Sequence, residues 1–382
     1  MDPVPFNALA VQDAPLKDQL IAAIARVVER GWYVLGEELA AFEHAFAPIA
    51  GCSEAVGVGN GTDALRLALQ AVGVGAGDEV VTVSHTATFT ALAISMLGAR
   101  PVFCDIDPRT FTMDPTGLDA VVNSRTKAIV PVHLYGQAAA LDEIVALASL
   151  RGVPVVEDCA QAHGALYSGR PVGSFGACAA FSFYPTKNLG ALGDGGAVTT
   201  SDPDVAARVR RLRNGGQEDR YRHVERGVNS RLDEVQAAAL LVKLARLDSA
   251  TTERRVLAAV YDQSLEGVTL PLEVEGRRHV YHLYVFRHPR RDALAEHLKE
   301  QEIGTQVHYP IPVHRQPAYV ELGIPDGTLP ETERAAAEVL SLPLFPRLTS
   351  AQQRRVIEAV NAFTTASDPT TASEPTAASD PA

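Results

Sequence analysis

The chain contains no unbroken apolar run near the roughly eighteen residues that a membrane-crossing helix needs. It opens MDPVPFNALAVQD, with no basic region followed by an apolar block, so a secretory leader is not expected. Cysteine is scarce. Cys52, Cys104, Cys159 and Cys178 form no CxxC pair, which argues against a metal cluster and for buried free thiols in a reducing cytoplasm. Positive charge is also in deficit. Lys and Arg number 34 against 46 Asp and Glu, a net charge of −12, which excludes a protein that coats nucleic acid. Small anionic ligands need only local positive potential and stay open.

What is present is a soluble, globular composition over 382 residues, enough for two domains. From 364 onward the chain reads TTASDPTTASEPTAASDPA, with no large apolar residue to offset chain entropy, and a disordered tail is expected over 364–382. Before it, helix-like and strand-like segments alternate. LKDQLIAAIARVVER (16–30) and DALRLALQAV (63–72) carry apolar residues at helical spacing. EVVTVS, PVFCDID, KAIVPVHL and VPVVED are continuous apolar runs of strand length, and LDEIVALASLRG is a helix closed by glycine. AAFSFY and GAVTT follow as two more strands. Apolar strands separated by helices predict an α/β fold with a mostly parallel sheet covered on both faces. From about 250 the pattern shifts. A long helix over 232–260, an alternating strand in HVYHLYVFRH, a helix and a strand near GTQVHY predict a smaller α+β domain. The expected division is 1–245, 246–363 and the tail.

Three stretches carry chemistry. GVGNGTDALRLAL (57–69) places glycines and Thr62 ahead of a helix, where free amides can bind phosphate. A plain cap by Thr62 or Asp63 explains the same residues equally well. VPVVEDCAQAHGA ends a buried strand in Glu157 and Asp158, where open α/β sheets bind ligands. Burying Asp158 unpaired is costly, and either a cationic ligand atom, a helix cap or a salt bridge would relieve it. FSFYPTKNLGALGDGGAV sets Lys187 between an aromatic run and glycines that let backbone approach a bulky group. A desolvated lysine there would be a nucleophile; a turn lysine is the plainer reading. Together, a phosphate cradle, a buried carboxylate and a desolvated lysine match pyridoxal 5′-phosphate, whose aldehyde, ring nitrogen and phosphate want those three partners. A nicotinamide enzyme would need a GxGxxG after the first strand, and GVGNGTD is not one.

The chain resembles the DegT/DnrJ/EryC1/StrS family of sugar aminotransferases, of the aspartate aminotransferase-like fold type I. The resemblance spans about 5–362 and rests on GNGTDAL, EDCAQAHGA, FSFYPTKNLGALGDGGAV, GVNSRLDEVQAAAL and VHYPIPVH. It implies a seven-stranded-type sheet, Lys187 as the Schiff-base lysine and Asp158 on the pyridinium nitrogen. It implies Gln161 on the ring or its phenolic oxygen. Gly61, Thr62, Asp63 and Ser182 would hold the phosphate. It implies that Asn229 reaches the neighbouring subunit's phosphate, hence a homodimer with shared sites. One departure concerns the aromatic residue that family members place over the ring: this chain has Ala87 there. His85 becomes the candidate to stack, with Phe89 in the core. His308, Tyr309 and His314 would face the sugar, and Arg231 a carboxylate, a diphosphate or a neighbouring acid. A lysine at 187, where dehydratase-like relatives carry histidine, implies transamination. The donor would be L-glutamate and the acceptor a nucleoside-diphosphate keto-sugar, most like a dTDP-linked 3-keto-6-deoxyhexose. A 4-aminotransferase of perosamine type and a catalytically silent homologue are the alternatives.

Overall fold

The computed structural model describes residues 2–366. Seven strands build the main sheet: β1 (Glu54–Val58), β2 (Glu79–Val83), β3 (Arg100–Cys104), β4 (Thr126–Ile129), β5 (Val156–Asp158), β6 (Cys178–Ser182) and β7 (Gly196–Thr200). Their order is β1-β7-β6-β5-β4-β2-β3, with parallel bridges Ile129 to Val155 and Val132 to Asp158 joining the two halves. Only β7 runs antiparallel to its neighbours, so the predicted mostly parallel sheet is observed. Its strands are buried on both faces, as consecutive apolar residues such as Val80, Val81 and Val83 require. Because β1, β5 and β6 run the same way, the turns after all three meet at one edge.

The helices come where the periodicity places them, at Lys17–Arg30, Gly61–Ala71 and Leu141–Arg151, the last closed by Gly152 at φ +66°. The predicted helix over 232–260 is two helices, Glu234–Leu244 and Leu247–Ser264. The amide of Arg246 turns back to the carbonyl of Lys243, three residues earlier, and breaks the α ladder there. The second helix packs with β8 (Tyr284–Arg287) and β9 (Val339–Leu342), an antiparallel pair, around Tyr261, Tyr284, Phe286 and Leu340.

Other expectations shift. HVYHLYVFRH joins the ladder only over Tyr284–Arg287; residues 279–283 cross between the domains instead. GTQVHY forms no strand, only one bridge from Gln306 to Ser341. Val4 bridges to Ile303 and sits in the smaller core, so the first residues pack with the C-terminal domain rather than with the sheet. We propose the domain boundary at Ala245–Arg246, with that N-terminal exception. The helix Ser350–Ala366 carries three residues of the expected tail, 364–366. The rest of the tail, 367–382, lies outside the described residues.

Candidate active site

Asp158 ends β5 and is buried. Its Oδ2 accepts from the hydroxyl of Thr90 at 2.9 Å and its Oδ1 from the amide of Ala160 at 3.1 Å. A carboxylate offers about four acceptor positions, so roughly half remain open. Burial raises its pKa against those bonds and the nearby positive charge of Lys187. Thr90 was missed in the sequence; its only signal is a hydroxyl at the opening of the helix after VSHTATF.

Lys187 follows β6 in a turn closed by its amide on the carbonyl of Tyr184 at 2.8 Å. Gly190 is required there: a Cβ would stand 2.3 Å from the carbonyl oxygen of Pro185. Among the described residues the ammonium has no hydrogen bond and no carboxylate within ion-pair distance. Although the residue as a whole is only partly shielded, its desolvation pulls the pKa from 10.5 down to about 8, with Asp158 opposing. A lysine with no partner and a carboxylate with spare acceptors therefore lie in one another's field.

The phosphate cradle differs from the expectation in one donor. Asn60, not Thr62 or Asp63, caps the helix Gly61–Ala71, its Oδ1 accepting from the amide of Asp63 at 2.8 Å. The Asp63 amide is therefore taken, and its carboxylate accepts from Ser230 at 2.7 Å. The amides of Gly61 and Thr62 have no intrahelical acceptor, as at any helix start, and the Thr62 hydroxyl has no partner among the described residues. Ser182, ending β6, faces them so closely that a Cβ on Gly61 would lie 2.6 Å from its own Cβ. Gly61 and Ser182 are thus in close contact beside the unbonded hydroxyl of Thr62, while Asp63 is engaged by Asn60 and Ser230.

Gln161 lies beside Asp158, buried, with Oε1 accepting from the amide of Tyr135 at 2.7 Å and Nε2 donating to the hydroxyl of Tyr309 at 3.0 Å. His308 stacks on Phe6 with centroids 5.8 Å apart, and its Nδ1 meets the hydroxyl of Ser341 at 2.8 Å. Tyr309 is thereby joined to Gln161, and the carbonyl of His308 accepts from the hydroxyl of Tyr135.

His85 and His314 do not take the expected places. The His85 ring is fully buried; its Nε2 meets the hydroxyl of Tyr135 at 2.8 Å, and Phe111 lies 6.0 Å away. Stacking needs an open face, which this ring lacks. The half-buried Ala87 and Thr88 are the open residues of that loop, and Phe89, expected in the core, is 62% exposed. His314 is buried as well. Its Nδ1 and amide both engage Ser84 Oγ, at 2.7 and 3.0 Å, while Arg315 and Glu333 close on its Nε2. It pins the Pro-rich loop to the end of β2 and faces no open space. Arg231 donates to Asn214 at 2.8 Å and pairs with neither Asp233 nor Glu234. Glu234 instead accepts the amides of Gly36, Glu38 and Leu39 at a helix start. Asn229 is exposed, beside the buried Ser230.

Beneath the site, the ligand atoms of His133, Glu157 and Cys159 lie within 4.8 Å of one another, a spacing that suits a metal ion. The hydrogen bonds give them another function. His133 Nδ1 accepts from the amide of Ala139 at 3.0 Å, which puts the proton on Nε2, and Nε2 donates to Glu157 at 3.0 Å. His133 and Glu157 are thus satisfied by one another and by backbone amides, which is a structural arrangement.

The profile of the DegT/DnrJ/EryC1/StrS aminotransferase family matches residues 15–361, and the chain belongs to that family. It is 47% identical to the dTDP-3-amino-3,4,6-trideoxy-alpha-D-glucose transaminase of Streptomyces venezuelae, over 96% of this chain and 97% of the other. It superposes on the crystal structure of S. venezuelae DesV in complex with a ketimine intermediate with a TM-score of 0.93, at 47% identity, covering 95% of this chain and 99% of that one. It is also 47% identical to a pleiotropic regulatory protein of Geobacillus stearothermophilus, over 94% of this chain and 98% of the other. The protein is a pyridoxal 5′-phosphate-dependent aminotransferase of fold type I.

Proposed function

We propose that the protein transfers the amino group of L-glutamate to C3 of a dTDP-linked 3-keto-6-deoxyhexose. The observation that carries the reading is the pairing of a partnerless, desolvated Lys187 with an under-bonded Asp158, both at the edge that holds the Gly61–Thr62–Ser182 cradle. Those residues fit the cofactor. Ser182, Thr62 and the two free amides would hold its phosphate, Asp158 its ring nitrogen, Gln161 its phenolic oxygen and Lys187 its aldehyde. Bound there, the cofactor supplies an electron sink for the bonds at the donor's α-carbon.

The chain's own groups do the rest. Asp158 holds a proton at the ring nitrogen, oriented by Thr90 and Ala160. Once released, Lys187 takes the α-proton of glutamate at Nζ, and a pKa of about 8 leaves enough free amine for that near neutrality. Oxoglutarate leaves at the end of this first half. In the second half Lys187 returns a proton to the sugar carbon that receives nitrogen, and an amino sugar leaves. His308 and Tyr309 line the sugar side.

The C3 choice is supported by the transaminase relatives, which include a dTDP-3-amino-3,6-dideoxy-alpha-D-galactopyranose transaminase at 45% identity. A homodimer completes the site in this reading. Exposed Ile21, Val28, Trp32 and Tyr33, with Phe89 and Met96, supply apolar surface for it, and Asn229 is free to reach across. No helix among the described residues is long and apolar enough to cross a membrane, and the four buried free cysteines suit the reducing cytoplasm. The regulatory name of one relative keeps a non-catalytic reading in view.

The test is the visible spectrum of the purified protein before and after L-glutamate, with Lys187→Ala beside it. A yellow band that bleaches with glutamate in the natural chain and is missing from the variant is expected. A band that ignores every amino donor would leave the non-catalytic reading standing.

A further inference from the structure

His85, Tyr135 and Gln161 stand in the segments after β2, β4 and β5, which run parallel, so they meet at the edge that carries Asp158. Tyr135 is buried and reaches both sides of the site. Its amide donates to Gln161 Oε1 at 2.7 Å, and its hydroxyl donates to the carbonyl of His308. Its backbone lies at φ +59°, a left-handed conformation that bulky side chains rarely take and that persists where surrounding contacts impose it. Gly136 behind it is held by the amide of Val280, which donates to its carbonyl at 3.0 Å.

The donors settle every direction in this network. A carbonyl can only accept, so the one phenolic proton of Tyr135 goes to His308. His85 Nε2, 2.8 Å from the same phenolic oxygen, must then be the donor to it, which fixes the imidazole proton on Nε2. Burial lowers the His85 pKa to about 4, so the ring is neutral, and its Nδ1 is a buried acceptor with no partner among the described residues. A backbone amide can only donate, so Gln161 turns Oε1 to Tyr135 and Nε2 to the Tyr309 hydroxyl, at 3.0 Å. The bonds close a circuit, from Gln161 to Tyr135, on to His308, one residue along the chain to Tyr309 and back to Gln161. Ser84, the neighbour of His85, holds the far end of the same Pro-rich loop, accepting from the amides of Val313 and His314, both at 3.0 Å.

We propose that Tyr135 is a positioning residue for the amino-sugar half of the reaction, its hydroxyl setting the His308–Tyr309 turn against Gln161 so that the sugar side and the cofactor side keep one spacing. His85 holds that hydroxyl by donating to its oxygen. The inference rests on the proposed sugar transamination for its purpose, and Tyr135 acts through His308 and Gln161 rather than on the reacting atoms.

The test uses the full chain with Tyr135→Phe, which keeps the ring and the amide to Gln161 and removes only the hydroxyl. In the chain loaded with pyridoxal phosphate, bleaching of the yellow band is followed with L-glutamate and, for the other half in reverse, with a dTDP-3-amino-3,6-dideoxyhexose. The half-saturating concentration of the amino sugar is expected to rise about tenfold, because a carbonyl loses its donor, while that of glutamate stays within about twofold. In the cofactor-free chain, amide hydrogen exchange read by mass spectrometry should quicken about tenfold in peptides covering 307–316 and stay unchanged over β1 and β7. His85→Leu should move both readouts the same way by about threefold. His85→Gln, which keeps an N–H donor, should restore most of each, and this pair carries the test if Tyr135→Phe does not fold. Equal shifts for glutamate and amino sugar would show a merely structural role and overturn the proposal, as would unaltered exchange over 307–316. A natural chain that bleaches with neither compound would sink the aminotransferase reading. The exchange rates then decide alone, quickening supporting the Tyr135 tie and no change overturning it.

Discussion

Glu157 and Asp158 are neighbours on β5, and their side chains leave the strand on opposite faces. Both are buried carboxylates, and they meet opposite surroundings. Glu157 accepts from His133 and from the amides of Gly173, Phe175 and Gly176, at 2.8 to 3.0 Å. Burial alone would raise its pKa, but the bonds from His133, Gly173 and Gly176 outweigh burial and hold it below the ordinary value. Asp158 has two donors, and there burial wins and the pKa rises. A saturated carboxylate holds a fold together; an unsaturated one at a strand's carboxyl end still has acceptor positions to offer a ligand.

The largest expected effect follows from that contrast. Asp158→Asn should slow the glutamate half-reaction by roughly 10²- to 10⁴-fold, read from the visible band. Its thermal stability should not fall. An acid whose folded pKa is raised binds its proton more tightly in the native state, so above the unfolded value near 3.8 it subtracts stability, and removing the charge returns it. A clear drop in melting temperature would break the comparison from this side.

Glu157→Gln should do the reverse, costing about 3 kcal/mol in urea unfolding because His133 and three amides lose charge-assisted bonds. The folded fraction should keep its half-reaction rate. The natural Glu157 has a depressed folded pKa, so its stabilising contribution is full above 4.5 and is lost as pH falls through the folded value. Glu157→Gln should therefore flatten the acid limb of the stability profile. An unchanged acid limb would show that Glu157 is not the stabilising partner.

Gly61→Ala should come next. The added methyl must enter the space of Ser182, and we expect pyridoxal phosphate to bind roughly tenfold more weakly in an equilibrium titration, a loss of about 1.4 kcal/mol. Asp63→Asn should barely change that affinity, because its amide and carboxylate serve Asn60 and Ser230. The smallest effect on activity belongs to His314→Leu. It should cost about 1–2 kcal/mol of stability through Ser84 and leave KM for the sugar within about twofold. A large KM change would return His314 to the substrate side.

The sheet was legible because its strands carry apolar residues at consecutive positions, which only burial on both faces explains. The lysine turn was legible for a similar reason, since glycines at 190, 193, 195 and 196 beside an aromatic strand permit close approach. The family resemblance rather than any periodicity pointed to Asn229, Gln161 and the sugar-side loop. What misled was residue type read without direction. His85 and His314 are polar residues in promising loops, but each turns inward to a hydroxyl, of Tyr135 and Ser84. Thr90 and Tyr135 gave little warning because their partners lie 68 and 26 residues away.

By itself, the sequence determined the parallel sheet, the edge where β1, β5 and β6 end, and the trio of cradle, carboxylate and lysine placed there. Those follow from local pattern and from where strands must stop. Only the tertiary structure decided which carboxylate is saturated, which amide is free and which histidine is open. Each of those depends on the donors that distant segments bring to a buried atom, and no spacing along the chain counts them.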